Sequence, residues 1–313
     1  MSYFSIIIPL YNKENYIQSA LRSILEQTFQ DFEIVIVDDC STDKSVQKAK
    51  EIQSEKIRYI SHEHNKGLSA SRNTGIRNAK ADFTVFLDAD DVWRPQFLEK
   101  IKELIARFPQ SSLFATAYEE IYPDNLVLKP SVNKADLRPE ATLLITDFFV
   151  KNMQQPIYNH SSLCIRKSFF EIIGNYDEAI NFSEDVDFNI RANRRSPLAF
   201  YNQSQSCYTV YSENQITTSG IQNRTIPTLD TYTDWEKEDE NLKKYIDFER
   251  YVLATHCKLA DRKADFEKFK SAIDLNNLTT MQRILLHLPK GILIAVKRVK
   301  VYFLLKGFRM TSF

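Results

Sequence analysis

Apolar residues in the first third of the chain fall in short continuous blocks, separated by stretches with helical spacing. Residues 4–8, FSIII, form the first block and Pro9 closes it. Ile17, Leu21, Ile24 and Leu25 then recur at three- and four-residue intervals within 14–27, the period of one helical face. The alternation continues with a buried strand over 32–37, a helix through Ile52 capped by Ser41 or Thr42, a strand over 57–60, a helix over 68–79 and a strand over 83–87. Pro95 opens another helix that runs to Phe108. Proline suits a first turn because the N–H it lacks has no acceptor there. Continuous apolar strands alternating with helices predict an α/β domain whose largely parallel sheet is covered on both faces.

From about Ser111 the pattern loosens. Residues 113–122 and 126–128 predict a hairpin around Pro123–Asn125. Helices are expected over 141–151, 167–173 and 185–192, and strands over 161–165, 198–201 and 207–211. Residues 212–227 are polar, include Gly220 and predict a loop. The segment 231–272 is helical in character, breaks at 276–280 and is followed by a basic apolar helix.

Composition narrows the class. Hydrophobic residues make up 43% of 313 and charged residues 26%, as expected of a globular chain and not of a disordered or multi-span membrane one. Lys+Arg and Asp+Glu both number 41, so the general basic surplus of a nucleic-acid binder is missing. The four cysteines, Cys40, Cys164, Cys207 and Cys257, form no CxxC or Cys/His cluster. With no basic, cleavable leader pattern at the N-terminus, this gives the expectation of a cytoplasmic protein.

The neutral total conceals a polar split. After Asp274 there is no acid, while Arg283, Lys290, Lys297, Arg298, Lys300, Lys306 and Arg309 are basic. Leu285, Leu288, Ile292, Val296, Val299 and Phe303 fall at helical spacing among them. The apolar run is broken by charges and is shorter than the ~20 residues a span requires. A basic amphipathic helix lying on a membrane surface through 283–309 is therefore expected, against the alternative of a stripe docked on protein.

Ligands of open α/β sheets bind at the carboxyl ends of the strands. The first strand-to-helix turn, PLYNKE, lacks glycine, so neither a GxGxxG nor a GxxxxGK[ST] phosphate cradle is present. Asp88-Ala89-Asp90-Asp91 follows strand FTVFL. Residues two apart in extended chain point the same way, so Asp88 and Asp90 can face one divalent cation, although helix capping is the plain alternative. Asp38 and Asp39 end the second strand, Tyr11 offers a ring for stacking, and Arg72 can pair with carboxylate or phosphate. Ser183-Glu184-Asp185-Val186-Asp187 opens a helix; its acids suit the helix dipole, or supply a general base.

Four stretches together carry a family resemblance: SIIIPLYNKENYIQSALRSILEQTFQDFEIVIVDDCSTDKS, NKGLSASRNTGI, FLDADD and GNYDEAINFSEDVDFNIR. The first ~215 residues resemble family 2 glycosyltransferases of the GT-A fold, a Rossmann-like mixed sheet flanked by helices. The resemblance implies a catalytic domain over 1–215, with a nucleotide-sugar half at 1–110 and an acceptor half at 111–215. A helical C-terminal region, 216–313, falls outside it. It implies that Pro9, Tyr11 and Asp39 hold the nucleotide base, usually uracil, and that Asn65 and Arg72 lie on the donor side. Asp88 matches the position near the ribose, and Asp90 the one that contacts Mn2+ or Mg2+. Asp185 matches the catalytic base, Glu184 positions the acceptor, and Trp93 and His160 lie toward the acceptor. Many relatives carry a metal-reaching histidine near the end of this domain. Tyr211 falls about there in this chain, leaving Glu213 or water as the substitute.

The implied activity is inverting transfer from a nucleotide sugar, such as a UDP-sugar, to a hydroxyl of a glycan or lipid-linked glycan, in the setting of surface polysaccharide synthesis. Transfer to polyprenyl phosphate and an inactive sugar-nucleotide binding module are the alternatives. A lipid-linked acceptor would place the protein peripherally on the inner face of the membrane.

Overall fold

The computed structural model describes residues 2–130, 138–153, 155–216 and 220–308. Its first part alternates as the pattern predicts. The elements are β1 (Phe4–Leu10), α1 (Ile17–Leu25), β2 (Phe32–Asp38), α2 (Ser45–Glu51), β3 (Ile57–Ser61), α3 (Leu68–Asn78), β4 (Phe83–Phe86), β5 (Val92–Trp93) and α4 (Phe97–Arg107). Then come β6 (Leu113–Ile121), β7 (Val127–Leu128), β8 (Thr142–Ile145), α5 (Phe148–Lys151), β9 (Leu163–Arg166), α6 (Phe170–Ile173), α7 (Glu184–Asn193) and β10 (Leu198–Thr209). The C-terminal helices are α8 (Thr233–Glu238), α9 (Glu240–Leu259), α10 (Lys263–Ala272), α11 (Thr280–His287) and α12 (Lys290–Leu305).

One mixed sheet runs β3-β2-β1-β4-β9-β6-β10-β5, with β7 beside β6 and β8 beside β10. The β3, β2, β1 and β4 pairings are parallel, whereas β9 runs antiparallel to both β4 and β6. The first strands are buried on both faces, which is why they read as unbroken apolar runs. On β1, Phe4, Ile6, Ile8 and Leu10 join the core under α1 and α4, while Ile7 faces the opposite core with α7 and α9. α3 lies so close to β1 that a Cβ on Gly75 would sit 2.3 Å from Ile7 Cγ2.

Three parts of the pattern resolve differently. The helix expected over 141–151 is β8 followed by the single turn α5. Thr142–Ile145 instead pairs antiparallel with Leu198–Tyr201, a tertiary partner that local spacing does not reveal. The two strands expected at 198–201 and 207–211 are one strand, β10, whose pairing with β6 shifts register on both sides of Ser204. Ser204 Oγ donates to Tyr118 O at 3.1 Å there, so a polar stretch stays in the sheet. The C-terminal basic stripe is divided at Leu288–Pro289: Leu285 and Leu286 of α11 dock on the body, while α12 buries only Leu293. No helix among the described residues is long and apolar enough to cross a membrane. Of the basic tail, Arg309 lies outside the described residues, as do 217–219 of the polar loop.

α9 is part of the body. Its Leu242, Tyr245, Ile246 and Tyr251 share one core with Phe148 and Val186. Asp239 caps it, accepting from Asn241 N and Leu242 N.

Candidate active site

The carboxyl ends of β1, β2 and β4 lie side by side, so the residues just past them converge. Pro9 sits within β1 opposite Val37, and Tyr11 beyond it is 41% exposed. Asp39 leaves β2 and is buried. Its Oδ1 accepts from Lys66 N at 2.8 Å and faces His62 Nδ1 at 2.7 Å, and its Oδ2 accepts from Gly67 N at 2.7 Å. Asn65 Nδ2 donates to Asp39 O at 3.2 Å. Asp39 and Asn65 thus meet, and Asp39 fixes the loop that enters α3. Gly67 turns that loop at φ 92°, a backbone conformation that side chains disfavour.

α3 stitches the two halves together. Arg72 is almost fully buried; Nη1 donates to Glu184 Oε1 at 2.9 Å and Nη2 to Asp88 Oδ1 at 3.2 Å. At the next residue, Asn73 Nδ2 donates to Tyr176 O at 2.9 Å and Tyr176 N donates back to Asn73 Oδ1 at 3.0 Å. The NKGLSASRNTGI and GNYDEAINFSEDVD stretches, a hundred residues apart, form one site through these bonds.

Asp88–Asp91 leaves the sheet centre as a tight turn, with Asp91 N donating to Asp88 O at 3.0 Å. Asp91 is fully buried and accepts from Ser161 Oγ at 2.5 Å and from Thr209 N at 2.9 Å. It anchors the turn; burial, then the charges of Asp90 and Asp88, push its carboxyl well above the ordinary range. Burial and Asp90 likewise raise Asp88, against the pull of Arg72. Asp90 Oδ2 receives Lys13 Nζ at 2.7 Å and the hydroxyl of Ser212. Lys13 Nζ also donates to Ser212 Oγ at 3.0 Å and to Glu213 O at 2.7 Å.

The described residues hold no cluster of three His, Cys, Asp or Glu side chains that could bind a metal. A cation position exists nonetheless. Asp90 carboxylate, Ser212 hydroxyl and Glu213 carbonyl converge on one ammonium, an all-oxygen set of the kind that hard divalent ions accept. The residues therefore fit such an ion. Ser212, one residue past the position expected for a metal-reaching side chain, is the residue that meets Asp90. Tyr211 adopts φ 63° and turns its ring to Tyr122, 6.0 Å between centroids. Sequence alone offers little to single out Lys13 or Ser212, because a loop lysine and serine are usually solvent-facing; their meeting with Asp90 depends on the return of β10.

Ser183 adopts a left-handed conformation, φ 58°, and starts α7 with Glu184 and Asp185 in its first turn. Burial, then the Glu184 charge, push Asp185 up to about 6, while Arg72 and the N–H groups of Asp185 and Val186 draw it down. Glu249 of α9 is buried on the same side, and burial and Asp185 push its carboxyl up to about 8. The helical region thus brings a further acid toward the expected base.

Two expected acceptor residues lie inside the protein. Trp93 stacks on Phe97 with 4.2 Å between centroids and donates from Nε1 to Ser161 O at 2.5 Å. Its ring is core, because β5 pairs with β10 and turns the indole inward. His160 is buried against Phe86, Tyr176 and Phe188. Burial, then Arg72, hold its imidazole well below the ordinary value, hence neutral.

The sequence pattern of the family described as glycosyl transferase family 2 matches residues 5–171, more than half of the chain. The chain belongs to glycosyl transferase family 2. It is 31% identical over 190 residues to an uncharacterized glycosyltransferase of Haemophilus influenzae, a match covering 60% of each chain. It is 34% identical over 125 residues to the Escherichia coli UDP-Glc:alpha-D-GlcNAc-diphosphoundecaprenol beta-1,3-glucosyltransferase WfgD, covering 40% of this chain and 49% of that one. The chain thus spans three fifths or less of the length of these relatives. Among solved structures, S. aureus TarS 1-349 in complex with UDP-GlcNAc matches with a TM-score of 0.68 at 19% identity, over 92% of this chain and 86% of that one. That likeness shows the fold over most of the chain. The mixed α/β GT-A architecture expected from the sequence is the one observed.

Proposed function

We propose that this chain is an inverting glycosyltransferase that moves a sugar from a nucleoside diphosphate sugar, a UDP-sugar, to a hydroxyl of a glycan or lipid-linked glycan. The observation that carries this reading is the fork of Arg72, which ties Asp88 on the donor side to Glu184, the neighbour of Asp185, in one buried site. WfgD carries a UDP-Glc donor and a lipid-linked acceptor in its name, and TarS was solved with UDP-GlcNAc. Both support the choice of donor and acceptor class.

In this reading Tyr11 stacks on the base, while Asp39 and Asn65 shape its pocket. Asp88 faces the ribose. A Mn2+ or Mg2+ ion, when bound at Asp90, Ser212 and the Glu213 carbonyl, supplies charge that offsets the negative charge of the departing diphosphate. Asp185, ionised above about pH 6, takes the proton of the acceptor hydroxyl as that oxygen attacks the anomeric carbon. Attack from the face opposite the leaving group inverts the configuration. Glu184, held by Arg72, orients the base and the acceptor.

The catalytic unit is read as 1–215, with 216–313 as its helical complement; α9 contributes to the core behind Asp185. α12 exposes Ile292, Val299, Tyr302, Phe303 and Leu305 beside Lys297, Arg298 and Lys300. That surface suits the headgroup region of an anionic bilayer, near a lipid-linked acceptor.

Thermal unfolding with UDP, GDP and dTDP in the presence of Mn2+ tests the donor class. A ligand at a hundredfold excess over its Kd adds about 2.7 kcal/mol to stability. UDP should raise Tm, and D39N together with Y11A should remove the rise. A Tm insensitive to all three nucleotides would refute the reading.

A further inference from the structure

Lys13 is held in place before its side chain does anything. Its backbone N donates to Ser45 Oγ at 2.6 Å, and its chain passes Tyr16, with Nζ 5.9 Å from the ring centroid. The ammonium end is buried; the side chain is 11% exposed and its partner Asp90 9%. An ammonium carries three N–H donors. Here three oxygens receive it: Asp90 Oδ2, Ser212 Oγ and the Glu213 carbonyl. A surface lysine paying the entropy of such confinement would gain little. A buried carboxylate without a cation is costly, so Asp90 needs one at all times.

We infer that Lys13 is the resident cation of the Asp90 site, and that a divalent ion enters by displacing its ammonium from Asp90 Oδ2. The inference rests on the reading of Asp90 as the carboxylate that serves the donor. Lys13 and a divalent ion want the same three oxygens, and two cations within a few ångströms in a buried site repel strongly. Displacement breaks three hydrogen bonds and leaves a charged ammonium in need of a counter-charge. The diphosphate of the donor supplies one. Metal alone therefore binds against Lys13, whereas metal with UDP binds with its help. By linkage, Mn2+ tightens UDP by the same factor by which UDP tightens Mn2+. The same exchange holds the 212–216 turn over the site, first through Lys13 and then through the ion. Asn15 Nδ2 to Glu213 Oε2, at 2.9 Å, keeps that turn near while the exchange occurs.

Mn2+ binding to the full chain, followed by the EPR signal of the free ion, tests this without turnover. Without nucleotide, K13M should bind Mn2+ roughly tenfold or more tightly than the unaltered protein, by removal of the competing charge. UDP should then tighten Mn2+ binding much more in the unaltered protein than in K13M. D90N should bind no Mn2+. Equal or weaker Mn2+ binding by K13M overturns the role of Lys13 while leaving Asp90 intact as the metal carboxylate. Unchanged Mn2+ binding in D90N overturns the underlying reading instead. No Mn2+ binding in any of the three proteins, even with UDP, overturns both. A second measurement needs no variant. Acetic anhydride labelling of Lys13, read by mass spectrometry, should rise when Mn2+ saturates the unaltered protein without nucleotide, and unchanged labelling overturns the inference.

Discussion

Arg72 Nη1 donates to Glu184 Oε1 across 2.9 Å, joining a helix of the nucleotide half to the first turn of the helix that bears Asp185. The same guanidinium reaches Asp88, so one side chain sets the spacing between Asp88 and Glu184. Removing it leaves two acids without their cation in a buried place. R72A should therefore lose about 3–5 kcal/mol of stability, measured by urea unfolding. R72K keeps the charge but not the planar fork, and should fall between the two. Stability of R72A within about 0.5 kcal/mol of the parent would contradict this bridging role.

Asp185 is pushed up to about 6 by burial and then by Glu184. A base works only when deprotonated, so kcat/KM should fall as pH drops through about 6. Glu184→Gln removes a neighbouring negative charge and frees part of Arg72. Both effects lower the Asp185 value, so the acid limb should move to lower pH. D185N should keep UDP affinity and lose about 10²–10⁴-fold in turnover. An acid limb that stays put in E184Q, or equal losses of affinity and turnover in D185N, would assign the pair to helix structure instead.

β1, β2 and β4 were legible because they are buried on both faces, and α1 and α4 because each buries one face. β8 was not, since TLLI becomes a strand only by pairing with β10. The acids of the site could be found by their place at strand ends and a helix start. Sequence did not reveal that Trp93 turns its indole onto Phe97 or that His160 packs among Phe86, Tyr176 and Phe188. Lys13 and Ser212 escaped for a different reason: their chemistry lies in a contact between residues 199 apart.

Gly75 is a packing glycine in α3. A methyl group there would sit 2.3 Å from Ile7 Cγ2 and press α3 away from β1. G75A should cost about 1–3 kcal/mol, the usual range for overpacking, and should weaken UDP binding because Arg72 rides on the same helix. Calorimetric unfolding and UDP titration of G75A measure the two effects; an unchanged Tm would show that α3 shifts freely.

The division of the basic tail at Pro289 makes a clean truncation possible. A chain ended at Pro289 keeps α11, whose Leu285 and Leu286 are buried, and loses α12 with the eight residues after it. It should fold normally yet fail to sediment with vesicles containing anionic lipid, while the full chain sediments and is released by high salt. Equal partitioning of the two would assign the exposed face of α12 to a protein partner.

The stereochemistry of the product tests the central claim most directly. With Asp185 as base and no covalent intermediate, a single displacement joins acceptor oxygen to anomeric carbon. The anomeric coupling constant in the proton NMR spectrum of fresh product, compared with that of the UDP-sugar donor, reports the outcome. Inverted configuration is expected; retained configuration would contradict the single displacement and the role given to Asp185.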